Sequence, residues 1–162
     1  NYIIESGITY TIFQNGLYSE TIPFFVGEEV LETGIYLPAG NGKASFATRT
    51  DMAEAIANVL ASDGHGNKTY VTSALPSYSF NEIAEMFSEV SGKTISYTNP
   101  SPADYETQLR AFGIDEGSIW YAKLLAAIIK NGEYEIFSSD LEKLLGRKPT
   151  DLKTYIKQTF LS

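Results

Sequence analysis

The chain contains no cysteine, which removes disulfides, thiolate metal sites and a cysteine nucleophile together. It has one histidine, too few for an ordinary zinc site, so no metal is expected. Positive charge is scarce as well: 12 Lys and Arg stand against 20 Asp and Glu, a formal charge of -8. Phosphate backbones are bound mainly by Lys and Arg, so a nucleic-acid partner is not expected. No apolar run reaches the roughly 20 residues of a bilayer span, and the start shows no secretory signal pattern. A cytoplasmic protein with no membrane partner is the reading. Neither G-x-G-x-x-G nor a P-loop occurs, so a dinucleotide's diphosphate has no cradle in these residues.

What is present is an ordinary globular composition, 43% hydrophobic over 162 residues, enough for one sizeable core. The opening run, NYIIESGITYTIFQNG, reads as the last turn of a helix, a stop at Gly7, a strand from Ile8 to Phe13 and a turn at Asn15-Gly16. A helix feeding directly into a strand is half of an α/β repeat. The chain is therefore expected to be the carboxy-terminal portion of a larger α/β protein, its function divided between an earlier half and this one. The following stretch, rich in aromatics and glycine, reads as a long loop with short strands at Ile35–Leu37 and Ala44–Ala47. A helix then carries Met52, Ala55, Ile56, Val59 and Leu60 on one face, with Thr50 as its cap.

Strand and helix continue to alternate. Lys68–Ala74 reads as a strand, and Ser79 and Glu82 form a capping box for a helix whose apolar face is Phe80, Ile83, Ala84, Phe87 and Val90. Gly92 ends it, Thr94–Thr98 supplies a strand, and Ser101 with Pro102 starts another helix. The remainder is helical, with a second capping box expected from Ser139 to Glu142. Alternation followed by a helical tail gives an α/β fold with a small helical cap lobe.

Few side chains point to chemistry. Gly40-Asn41-Gly42-Lys43 lacks the strand-loop-helix context of a phosphate loop and reads as a hairpin turn. His65, in DGHGN, reads as a surface loop residue and not as a triad base. None of the 11 tyrosines is followed by lysine four residues later, so the Tyr-Lys pair of short-chain dehydrogenase chemistry cannot be placed. Arg49 and Asp51 are either an ion pair beside a ligand or, the adopted reading, a loop anchor and a helix-dipole partner. Trp120 either lines a pocket or fills the core of the helical lobe; the core is the adopted reading. Glu28-Glu29 and Asp115-Glu116 read as solvated surface.

The runs SGITYTIFQNGLYSE, GNGKASFATRTDMAEAIANVLAS and GNKTYVTSALPSYSFNEIAEMFSEVSGKTISYTNPSPADY together resemble the carboxy-terminal half of the NmrA-like branch of atypical short-chain dehydrogenases/reductases. Within that branch they resemble the bacterial NAD(P)H:quinone oxidoreductases of type 2. The resemblance implies a Rossmann-type fold, its glycine-rich turn lying in the earlier half, and NADP (or NAD) as cofactor. It implies that the loop after the first strand passes beside the nicotinamide, placing Asn15 and Gly16 at the cofactor. Tyr18, Phe24 and Phe46 are then expected to meet a planar substrate, a quinone or related electrophile. Gln14 stands where the family commonly has arginine. No catalytic residue is assigned, since the cofactor carries the redox chemistry and the protein positions two flat rings. A non-enzymatic NADP-binding redox sensor is the alternative, and an epimerase-like activity a weaker third. The isolated chain is expected to be inactive and prone to dimerise through uncovered apolar surface.

Overall fold

The computed structural model describes residues 2–161. A single helical turn, α1 (Tyr2–Glu5), leads past Gly7 into β1 (Thr11–Asn15) and β2 (Leu17–Tyr18). The first strand thus starts later than the expected Ile8 and runs through Asn15, and no turn forms at Asn15-Gly16. Parallel pairing is the cause: β1 lies beside β6 (Lys68–Thr72) in the register Thr11↔Lys68 to Asn15↔Thr72, and the Gly16 amide extends the ladder by donating to the Thr72 carbonyl at 3.1 Å.

The stretch expected to be a loop with strands also holds a short 3-10 helix (Ser19–Thr21) and two short helices, α2 (Ile22–Val26) and α3 (Val30–Thr33). Buried Ile22, Phe25, Val26 and Val30 explain them: tertiary packing holds helices too short to show a periodicity. Two-residue strands follow at β3 (Ile35–Tyr36), β4 (Lys43–Ala44) and β5 (Phe46–Ala47). β5 pairs in parallel with β2, β3 in parallel with β8 (Tyr97–Thr98), and β4 antiparallel with β7 (Tyr78–Ser79). Because β3 and β4 take different partners, Gly40–Lys43 is not a hairpin turn. Gly42 is instead where the chain meets α7 (Glu116–Lys130): a Cβ there would lie 2.0 Å from the Ile129 carbonyl oxygen.

The longer helices begin at side-chain caps. In α4 (Arg49–Leu60) the cap is Thr48, not Thr50, its hydroxyl accepting from the Asp51 amide. Met52, Ala55 and Val59 are buried as expected, whereas Leu60 at the helix end is exposed. α5 (Phe80–Ser91) shows the full Ser79/Glu82 capping box and ends at Gly92 with φ 71°. α6 (Pro102–Ala111) starts from Ser101, as expected. α8 (Asp140–Leu145) has no capping box: Ser139 sits at φ -104° and ψ 13°, outside the extended conformation that would aim its hydroxyl at the helix. α9 (Leu152–Phe160) is capped by Asp151 and packs against α5, with Phe87 and Phe160 edge to face at 4.9 Å.

The larger core gathers α2, β3, α5, α7 and α9 around Ile22, Leu37, Phe80, Phe87, Ile129 and Ile156. A smaller one, formed by Ala47, Met52, Ala55, Ala74, Leu141 and Leu145, joins α4, α8 and the exit of β6. The architecture is α/β with a helical lobe, as expected. Trp120, expected in the lobe's core, is 66% exposed; its neighbour Ile119 faces inward instead. No helix among the described residues is long and apolar enough to cross a membrane.

Candidate functional site

Ligands of α/β sheets bind where loops leave the carboxyl ends of parallel strands. Here β1 and β6 end side by side at Asn15 and Thr72. The Thr72 hydroxyl, fully buried, donates to the Asn15 side-chain oxygen Oδ1 at 2.5 Å, and the Asn15 side-chain nitrogen Nδ2 donates to the Tyr18 phenol oxygen at 3.2 Å. An exposed amide is thereby fixed at both ends, in a position that a flexible Asn would not hold unaided.

Gly16 rests on a polar knot. Ser73 donates to the Ser45 carbonyl at 3.3 Å, and the Ser45 and Ser77 hydroxyls share a hydrogen bond of 2.6 Å. Ser45 also exchanges hydrogen bonds with the backbone of Ile136, both 3.2 Å. Three segments far apart in sequence are thus tied beneath the β1 exit. A Cβ on Gly16 would lie 2.4 Å from the Ser73 Oγ, so the close approach requires glycine.

Tyr18 carries the Arg49 guanidinium 4.8 Å over its ring. The Arg49 backbone N–H donates to both oxygens of Glu20, at 3.0 and 3.2 Å. The two readings of Arg49 and Asp51 therefore resolve: they do not pair. Asp51, 1% exposed, takes hydrogen bonds from the Thr48 hydroxyl, from Arg147 at 2.8 Å and from the Thr150 amide at 2.7 Å. Burial pushes its carboxyl up, and the hydrogen bonds from Thr150, Arg147 and Thr48 outweigh that, leaving it below its ordinary value.

Of the remaining expected site residues, Phe46 stands beside Leu17 in the β2–β5 pair and Phe24 lies on α2. Phe46 is 3% exposed in the larger core and forms one wall of a cleft of about 300 Å³ with Leu75, Pro76, Tyr78, Lys148 and Thr150. Burial, with the charges of Asp151 and Glu82, raises the Tyr78 phenol, so it stays protonated in neutral solution. Phe24 is 48% exposed and tilts against Tyr121 on α7, ring centroids 5.9 Å apart; no ring contact joins it to Tyr18 among the described residues. His65 bonds Tyr70 at 2.7 Å and Ser62 at 3.0 Å beside the start of β6, at the opposite end of the strands from Asn15. Sequence reasoning missed Thr72, Ser73 and Ser45. Thr72 was open to discovery, since two adjacent parallel strands bring their ends together, whereas the serine knot joins positions with no local signature.

Comparison with known proteins gives these features a context. The model of the NmrA-like family matches residues 1–159. Quinone oxidoreductase 2 of Escherichia coli (strain K12) is 33% identical over 98% of this chain and 55% of its own length. Among solved structures, the triphenylmethane reductase of Citrobacter sp. superposes with a TM-score of 0.89 at 34% identity, covering 99% of this chain and 56% of that one. The NADPH-dependent quinone oxidoreductase of E. coli gives a TM-score of 0.88 at 30% identity, over 98% and 57%. The chain spans about half the length of the curated relatives it matches.

Proposed function

The chain belongs to the NmrA-like family, and from that premise we propose that it forms the substrate-side part of an NAD(P)H-dependent reductase of quinones or related electrophiles. The observation that carries the proposal is the Asn15 amide, held by Thr72 and Tyr18 at the carboxyl ends of β1 and β6. Asn15 has two amide hydrogens, of which Tyr18 takes one, leaving a donor for the carboxamide oxygen of a nicotinamide.

These residues fit the nicotinamide end of the cofactor and not its diphosphate, for which the sequence offers no glycine-rich turn. In this reading the diphosphate is held by a dinucleotide-binding part of the protein outside these 162 residues. The exposed Tyr2, Ile3, Ile4 and Ile8, beside a β1 with one strand partner among the described residues, support an apolar contact with that part. The bound cofactor supplies the reducing equivalents. This chain's share is to orient the nicotinamide through Asn15, which Tyr18 helps to hold, and to exclude water through the packed knot at Ser45, with the half-exposed Phe24 and the cleft walled by Phe46 offered to the acceptor. The names of the relatives, reductases of quinones and triphenylmethane dyes, support aromatic acceptors.

A calorimetric NADPH titration of the full-length protein tests the assignment. Asn15→Ala weakens NADPH binding by about threefold to tenfold, the range for one neutral hydrogen bond. An unchanged affinity contradicts the placement of Asn15. NADPH binding with no oxidation by any quinone supports the redox-sensor reading instead.

A further inference from the structure

The chain has three arginines, and two are saturated with carboxylates. Arg110 grips Glu116 at 2.7 and 2.8 Å and Glu106 at 2.6 Å; Arg147 reaches Asp51 and Glu54 at 2.8 and 2.5 Å. Arg49 differs. Among the described residues no carboxylate pairs with its guanidinium, in a protein where acids outnumber bases 20 to 12. The nearby Glu20 carboxylate is spent on the Arg49 backbone N–H.

The placement is not explained by stability. Arg49 is the first residue of α4, where the helix dipole disfavours a cation. Its contact with the Tyr18 face offsets a penalty of similar small size. Side-chain entropy also opposes holding a long exposed side chain in one place. What the arrangement retains is a planar fork of donors with no acid partner, one residue away from the Asn15–Tyr18 contact. A second observation falls on the same stretch: Ser19, 1% exposed, holds the one buried side-chain oxygen without a hydrogen-bond partner among the described residues. Tyr18 itself is half-buried against the Ala47/Ala74 cluster, and Arg49 covers a face of its ring. It is better placed to carry Arg49 than to stack a substrate.

Building on the reductase reading, we infer that Arg49, carried on Tyr18, receives an anionic oxygen of an aromatic acceptor. The site then prefers acceptors bearing a sulfonate, carboxylate or phenolate over neutral ones with the same rings. Arginine suits the task because its fork matches the paired oxygens of a sulfonate or carboxylate and can also donate to the single oxygen of a phenolate.

The test compares naphthoquinone sulfonate with neutral menadione on the full-length protein, by calorimetric affinity and by turnover. The parent binds the sulfonate about tenfold or more tighter, the range for hydrogen bonds to a charged group. Arg49→Gln brings the sulfonate-to-menadione ratio near one, and Arg49→Lys, which keeps the charge without the fork, retains part of it. Added salt lowers the ratio in the parent. Melting curves of both variants confirm folding. A parent ratio near one, a ratio unmoved by Arg49→Gln, or a loss confined to NADPH, whose phosphates are the other source of anionic oxygen, overturns the inference. Menadione turnover by the parent reports separately on the reductase reading, so turnover without sulfonate preference sinks Arg49 alone.

Discussion

Replacing Gly16 by alanine puts a methyl group where the β1 exit presses on the serine knot. The new Cβ would lie 2.4 Å from the Ser73 Oγ, 2.8 Å from its Cβ and 3.3 Å from the Ile136 Cδ1. Ordinary carbon contacts are about 3.5–4.0 Å. Rotating Ser73 relieves the first clash at the loss of its hydrogen bond to Ser45, worth about 1 kcal/mol. The second clash remains under any rotamer, because a Cβ does not move with χ1, and Ser73 is only 2% exposed. Backbone must shift, an overpacking penalty of about 1–3 kcal/mol. The sum, about 2–4 kcal/mol, corresponds to a fall in Tm of roughly 5–15 °C for a domain of this size. Thermal and urea melts of the chain read it directly. Ser73→Gly removes both offending atoms, so the double variant recovers most of the loss, with a coupling energy of at least about 1 kcal/mol. A Tm for Gly16→Ala within about 1 °C of the parent, or no recovery in the double variant, refutes the close approach.

Contacts elsewhere in the fold are tested by two other variants and by the pH dependence of one of them. Gly42→Ala is worse than Gly16→Ala, because its Cβ would meet the backbone carbonyl of Ile129 at 2.0 Å and no rotamer change can help; loss of folded protein in a melt checks this. Asp51→Asn destabilises by about 2 kcal/mol, less than a fully buried pair because Arg147 remains 44% exposed. The Asp51 carboxyl is held below its ordinary value of 3.8, so the unfolded chain binds its proton more readily. Its contribution is present above about pH 4 and is lost as the pH falls through the folded value. Urea midpoints therefore fall less between about pH 7 and about pH 3 in Asp51→Asn than in the parent, and equal falls contradict the account.

The parts of the fold legible in the sequence are those written within one turn of helix. Ser79 with Glu82, Ser101 with Pro102 and Gly92 each act on atoms within a few residues, and each took the expected role. Local signatures also misled. Thr50 and Thr48 both precede the apolar face of α4, and the deciding partner was Asp51, the third residue after Thr48. Ser139 and Glu142 have capping-box spacing, but the backbone enters α8 at the wrong angle. Periodicity places Leu60 inward and aromatic bulk places Trp120 in the core, although only neighbouring elements decide how wide a buried stripe is. What no local pattern shows is contact across the chain. Arg147 reaches Asp51 over 96 residues and Ser45 reaches Ile136 over 91. For the site, the sequence carried Asn15, Gly16 and Tyr18 as neighbours, while Thr72, which fixes the Asn15 amide, came into view through the parallel register.

The central claim, a reductase site completed by residues outside this chain, is tested most directly by one paired calorimetric titration. NADPH is added to the full-length protein and to the 162-residue chain, with menadione turnover recorded on both. The account predicts that the full-length protein binds NADPH and reduces menadione, while the shorter chain does neither. A full-length protein that fails to bind NADPH, or a 162-residue chain that binds it unaided, contradicts the account.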